Sequence, residues 1–206
     1  MTYTPFRMLG FALIAFSVVG CTVSEAGSDD AERNSKVNMQ EAAEKADAVV
    51  FKTLSMVDPP LQWTHDTSSG GGCTDFKNDS HGYGSTIRNA VVMTQVSEER
   101  RGALLGVIER NWKEDGYKIT SVNSDKDSPA IYAKTGDGFG MSLIVGYKGQ
   151  FFLKVQTPCV KKSDVADPAT KANGHDYYGN EVPRPSVHDA FWSSSTPISS
   201  ASPSES

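Results

Sequence analysis

The chain has 206 residues, 38% of them hydrophobic and 22% charged, with three Cys and a formal net charge of −5. That length holds one ordinary globular domain with appendages and excludes a two-lobed receptor or most large enzymes. The acidic balance excludes an unaided nucleic-acid binder, which needs a basic footprint.

At the N-terminus, Arg7 precedes an apolar run over residues 8–19. The run is short for a bilayer span and long enough for the hydrophobic region of a signal peptide. It ends in Val18-Val19-Gly20-Cys21, small residues before a Cys, as in a bacterial lipobox whose thiol is diacylated before the chain is cut ahead of it. Residues 1–20 therefore read as a lipoprotein signal peptide and Cys21 as the lipidation site. The bland reading is an ordinary secretory signal or a signal anchor with Cys21 incidental. Acyl chains on Cys21 would hold the mature chain to the extracytoplasmic face of a cell membrane, each buried CH₂ contributing about 0.8 kcal/mol. Residues 21–36 are small, polar and acidic, without apolar periodicity, and read as a flexible tether.

A helix is expected next. Met39, Ala42, Ala43, Ala46, Val49, Val50, Leu54 and Val57 recur at the spacing of one helical face, Asn38 with Glu41 forms a capping box, and Asp58-Pro59-Pro60 stops the helix. Leu61, Trp63 and His65 alternate with polar residues as in a half-buried strand, and 68–72 reads as a flexible Ser/Gly approach to Cys73. A strand follows over 83–95. Ser97 then caps a second helix with Glu98 and Glu99 in its first turn, Leu104, Leu105, Ile108 and Trp112 on its apolar face, and Asp115-Gly116 at its end. Four strands, over 117–122, 130–135, 139–147 and 150–157, complete the pattern. In them Met141, Leu143 and Val145 alternate in step with Phe151, Leu153 and Val155 to give one buried face.

This order predicts an α+β domain over 37–162, with an antiparallel sheet of about five to six strands and two helices packed on one face. With Cys21 acylated, Cys73 and Cys159 remain in an exported chain where oxidation is permitted. Their pairing would close a long loop, worth at most about 4.5 kcal/mol in the chain-entropy model. Two free thiols or a metal site are the alternatives, and neither Cys has zinc-finger spacing to a further ligand. Residues 163–206 hold ten Ser, five Pro and two Gly in 44 positions. By composition this is a disordered tail, with Tyr177-Tyr178 and Phe191-Trp192 as its only aromatic pairs.

The lipobox, the acidic tether, a helix stopped by Pro before a Trp-containing strand, Gly72-Cys73-Thr74-Asp75, a helix ending in Asn111-Trp112 and Gly116-Tyr117, and a closing Thr157-Pro158-Cys159 belong together. With these residues the chain resembles the small actinobacterial surface lipoproteins, including the LppA-like group, over about 37–162 and the export signal. The resemblance implies a membrane-anchored α+β domain with one disulfide and no assigned activity, and it brings no catalytic residues.

Chemistry-bearing motifs are few. The His stand at 65, 81, 175 and 188, too scattered for a His-Glu-x-x-His helix or a facial triad. Asp75, Asp79 and His81 share a polar loop that is either a weak cation site or, the favoured reading, a solvated run of turns. Gly70–Gly72 lacks the Gly-Lys-Ser/Thr ending of a phosphate loop, and the chain has neither a Gly-x-Ser-x-Gly elbow nor a Ser-x-x-Lys. Glu98, Glu99, Arg100 and Arg101 read as a solvated helix start. No catalytic, cofactor or metal residue is therefore expected.

The expected role is non-catalytic, with the membrane engaged through the N-terminal lipid, no nucleic acid, and an envelope protein or glycan as partner. It would bind at the loops around Cys73 or at the exposed sheet face carrying Lys134, Ser142, Lys154 and Gln156. An envelope enzyme whose residues converge only in the fold is the alternative, and a structural role with the tail reaching into the wall is a third.

Overall fold

The computed structural model describes residues 36–74 and 80–197, the side chains of Ser80 and His81 excepted. The signal peptide, Cys21, nearly all of the tether, and Asp75 and Asp79 lie outside them.

Helix α1 (Met39–Ser55) begins at the expected capping box, with the Glu41 amide donating to Asn38 Oδ1 and the Asn38 amide donating to Glu41 Oε2, each at 3.0 Å. Its buried face is Met39, Ala42, Ala43, Ala46, Val50 and Leu54, and the three Ala let the helix lie close on the sheet. Strands β1 (Trp63–Thr74) and β2 (Ser80–Val92) form a long antiparallel hairpin. Helix α2 (Glu98–Glu114) follows, burying Leu104, Ile108 and Trp112. Then come β3 (Lys118–Asn123), β4 (Ala130–Lys134), β5 (Gly140–Val145), β6 (Phe151–Gln156) and the two-residue β7 (Val160–Lys161).

The sheet is antiparallel throughout, in the order β1-β2-β6-β5-β4-β3, with β7 paired to β2. β7 brings the sheet to seven strands, beyond the five or six expected. α1 packs over β2 and β6 and α2 over β3 and β4, so both helices cover one face. The core between them holds Trp63, Trp112, Leu143, Leu153, Val155 and Phe151. The Cys73–Cys159 disulfide joins the end of β1 to the residue before β7, with Cα atoms 6.1 Å apart and a sequence separation of 86.

Three expectations need correction. The Gly-rich run is not a free approach to Cys73 but part of β1, with Gly70, Gly71 and Gly72 opposite Thr86, Ser85 and Gly84. Two glycines there answer a close approach: a Cβ on Gly70 would stand 2.9 Å from the Ser85 carbonyl oxygen, and one on Gly84 2.6 Å from Met39 Sδ. Ser97 stands at the N-cap of α2 but makes no capping bond; its hydroxyl donates instead to the Ser194 carbonyl at 2.6 Å.

The third correction is the largest. Residues 163–197 are not a disordered tail; they wrap the domain as a strap. The Gly174 amide donates to the Trp63 carbonyl, Asn173 Oδ1 accepts from the Trp63 amide and its Nδ2 donates to the Leu61 carbonyl, so the strap covers the outer edge of β1 at its start. Further on, the Ser186 and Val187 amides donate to the Met93 carbonyl. The strap ends on Trp192, 1% exposed within the core, whose Nε1 donates to the Pro59 carbonyl at 2.8 Å. Composition counts apolar side chains and misses order supplied by an otherwise open strand edge plus one aromatic anchor.

Candidate functional site

Chemistry-bearing side chains gather in two places. The first is a polar seam between α1, β1, β2 and the strap. Asp47 sits on the buried face of α1 and Arg88 on the helix side of β2, 0% and 1% exposed, with Arg88 Nε 2.9 Å from Asp47 Oδ1. The Nε–H misses the hydrogen-bond angle, so the attraction in this pair is chiefly coulombic. The other polar atoms hold the strap: Asp47 Oδ2 accepts from the Ala169 amide at 3.1 Å, while Arg88 Nη2 donates to the Ala166 carbonyl and Nη1 to Ser68 Oγ, both at 2.8 Å.

His65 completes the seam. Its Nε2 is 2.8 Å from the Thr170 carbonyl, which fixes the proton on that nitrogen and leaves Nδ1 as a buried acceptor without a partner. Burial pushes the His65 imidazole below its usual value, against the opposing pull of the Thr170 carbonyl and Asp47. Burial pushes the Asp47 carboxyl above its usual range, against the Ala169 amide and the Arg88 and His65 charges. A cleft of about 390 Å³ opens beside this ring, lined by Asp167, Thr170, Lys171, Asp176 and Tyr178 of the strap. Because His65 Nε2 is committed to a backbone carbonyl, it is not free to take a proton from the Thr170 hydroxyl 3.3 Å away. The seam fastens the strap; it does not present a nucleophile with its base.

The second place is the sheet face that carries no helix. Strand register alone sets its layout, since directly opposed residues point the same way. One row crosses the sheet as Ile87, Gln156, Gly140, Lys134 and Lys118; the next runs Asn89, Lys154, Ser142, Tyr132 and Ser121. On β5 the two rows place Gly140 and Ser142, the smallest side chains, between taller neighbours on β4 and β6. The result is an open trough of about 400 Å³ along β5, banked by Tyr132 and Lys134 on one side and Lys154 and Gln156 on the other.

All four residues expected on the exposed sheet face, Lys134, Ser142, Lys154 and Gln156, thus line one trough. Sequence reasoning missed Tyr132 and the Gly140 floor, although the register of two hairpins implies both. It also missed Asp47, an acid at an apolar phase of α1, and Arg88, a cation at a buried phase of β2 two residues before Ala90. The solvated reading of 98–101 fails at Arg100, which is 6% exposed, donates from Nε to the Phe191 carbonyl at 3.0 Å and lies over the Phe191 ring. Asp75 and Asp79 are outside the described residues, as are Cys21 and the His81 side chain. Among the described residues no group of three His, Cys, Asp or Glu could hold a metal ion, and no helix is long and apolar enough to cross a membrane.

No family model matches the chain, and no curated protein does. Among solved structures, a DUF4853 family protein from Actinomyces odontolyticus ATCC 17982 is similar at 12% identity and a TM-score of 0.42, over 66% of this chain and 76% of that one.

Proposed function

We propose that this protein is a membrane-anchored bacterial cell-surface lipoprotein, held at the extracytoplasmic face by acyl chains on Cys21, whose domain binds an envelope ligand on its helix-free sheet face. The observation that carries the reading is the convergence of Lys134, Ser142, Lys154 and Gln156 on one open trough while both helices and the strap are occupied elsewhere. Export is supported by the Gly20-Cys21 lipobox and by a long-range disulfide, a bond that persists in oxidising compartments. The resemblance to small actinobacterial surface lipoproteins supports the same placement.

The two halves of the proposal are tested separately. Cys21→Ala is expected to abolish metabolic labelling with a fatty acid and to release the protein from membranes; continued labelling contradicts the anchor. In-cell cross-linking followed by pull-down of the full chain is expected to recover an envelope component, and the Lys134→Glu/Lys154→Glu variant is expected to lose it. Equal recovery by the variant contradicts the assigned face.

A further inference from the structure

We infer that the trough along β5 takes an extended acidic glycan, a polysaccharide strand bearing carboxylates. This deepens the binding-surface reading and rests on it. The trough is open to its floor: a Cβ built on Gly140 would meet nothing within 4 Å. Its banks rise about 10 Å apart at the backbone, two strand spacings, which is wide enough for a sugar ring.

Charge selects an anion. The chain carries a net −5, yet Lys118, Lys134 and Lys154 are exposed on this face and the trough lining holds no carboxylate. None of the ion pairs among the described residues engages these three lysines. Lys134 and Lys154 stand on opposite banks one row apart, roughly 12 Å along the diagonal at the backbone. A chain lying in the trough therefore meets a cation first on one side and then on the other.

The remaining lining selects a sugar over an acidic peptide. Tyr132, 37% exposed, offers a flat ring and a hydroxyl on the bank, and Thr120, Ser142 and Gln156 offer hydroxyl and amide groups to match sugar hydroxyls. A peptide strand gains affinity by adding to a sheet edge. β5 has no edge, being paired on both sides with β4 and β6. A ligand here is gripped through side chains alone, which suits a polymer with an acid and several hydroxyls on each unit.

The test titrates the full chain, in non-ionic detergent, with oligogalacturonate by calorimetry, beside neutral dextran and polyglutamate. Saturable binding of oligogalacturonate that weakens with salt is expected, with none to dextran and weaker binding to polyglutamate. Lys134→Glu and Lys154→Glu are each expected to weaken it by about tenfold or more, since each removes a charge-assisted hydrogen bond. Gly140→Leu fills the trough at a position with room for a side chain, so it is expected to abolish binding while thermal unfolding is unchanged. Absence of oligogalacturonate binding, equal affinity for polyglutamate, or full binding by Gly140→Leu overturns the inference. If in-cell capture through Lys134 and Lys154 recovers a protein and no glycan, the glycan inference falls while the binding face stands.

Discussion

Asp47 and Arg88 are almost fully buried, and their energetics follow from that burial more than from their attraction. Removing one member of a buried pair leaves the other charged and unpaired, which costs about 3–5 kcal/mol, whereas an apolar replacement of both is close to neutral. Asp47→Ala is therefore expected to destabilise the fold by about that amount in urea unfolding, and Asp47→Leu/Arg88→Met to recover part of it, the Ala169 amide and Ala166 carbonyl staying without their partners. Equal losses in the single and double variants would contradict the pairing. His65 gives the seam a pH dependence whose sign is fixed by its lowered pKa. Below the ordinary imidazole value of 6.5 the unfolded chain takes up a proton that the folded chain resists, so stability present above that pH is lost as pH falls. Asp47 acts in the opposite sense, its raised pKa contributing stability below 3.8 that is lost as pH rises through its folded value, so the decline assigned to His65 is isolated by substituting His65 itself. His65→Gln keeps a donor for the Thr170 carbonyl and is expected to flatten the decline in unfolding free energy between about pH 7 and about pH 5. An unchanged slope would show that His65 does not carry it.

At the scale of elements, the strap depends on a few fastenings spread along its length. Trp192 is its largest, filling the core and donating to the Pro59 carbonyl. Trp192→Ala is expected to cost about 3–5 kcal/mol and to raise local opening across 163–197, read by hydrogen exchange at the Gly174 and Val187 amides. Unchanged protection at those amides would mean the strap is held without its anchor. The helices and the β3–β6 meander were legible because their apolar spacing is set by local geometry: Asn38 and Glu41 start α1, and alternation pairs Met141 and Leu143 with Val155 and Leu153. The strap was not legible because its order comes from β1, over a hundred residues away, through backbone groups that carry no composition signal. The Gly70–Gly72 strand was hidden for a related reason, since a run without side chains has no alternation to read. Of the candidate site, the four polar residues could be named from alternation alone, whereas the trough needs the cross-strand register that puts Gly140 and Ser142 between them.

For the whole molecule, the division of surfaces is the main consequence of the fold. One sheet face is closed by α1 and α2, the start of β1 is covered on its outer edge at Trp63 by the strap, and the disulfide ties the top of the β1–β2 hairpin to the residue before β7. On the face without a helix, Tyr132, Lys134, Ser142 and Lys154 stand open around the Gly140 floor of β5. This face is the one proposed to meet the ligand in the envelope. The most direct measurement is photo-cross-linking in living cells, with a photoreactive side chain at Ser142 compared with one at Glu114, exposed on the helix side. Adducts from Ser142 that disappear when Gly140→Leu fills the trough are expected, and none from Glu114. Adducts from Glu114 alone, or adducts from Ser142 that persist in Gly140→Leu, would contradict that assignment.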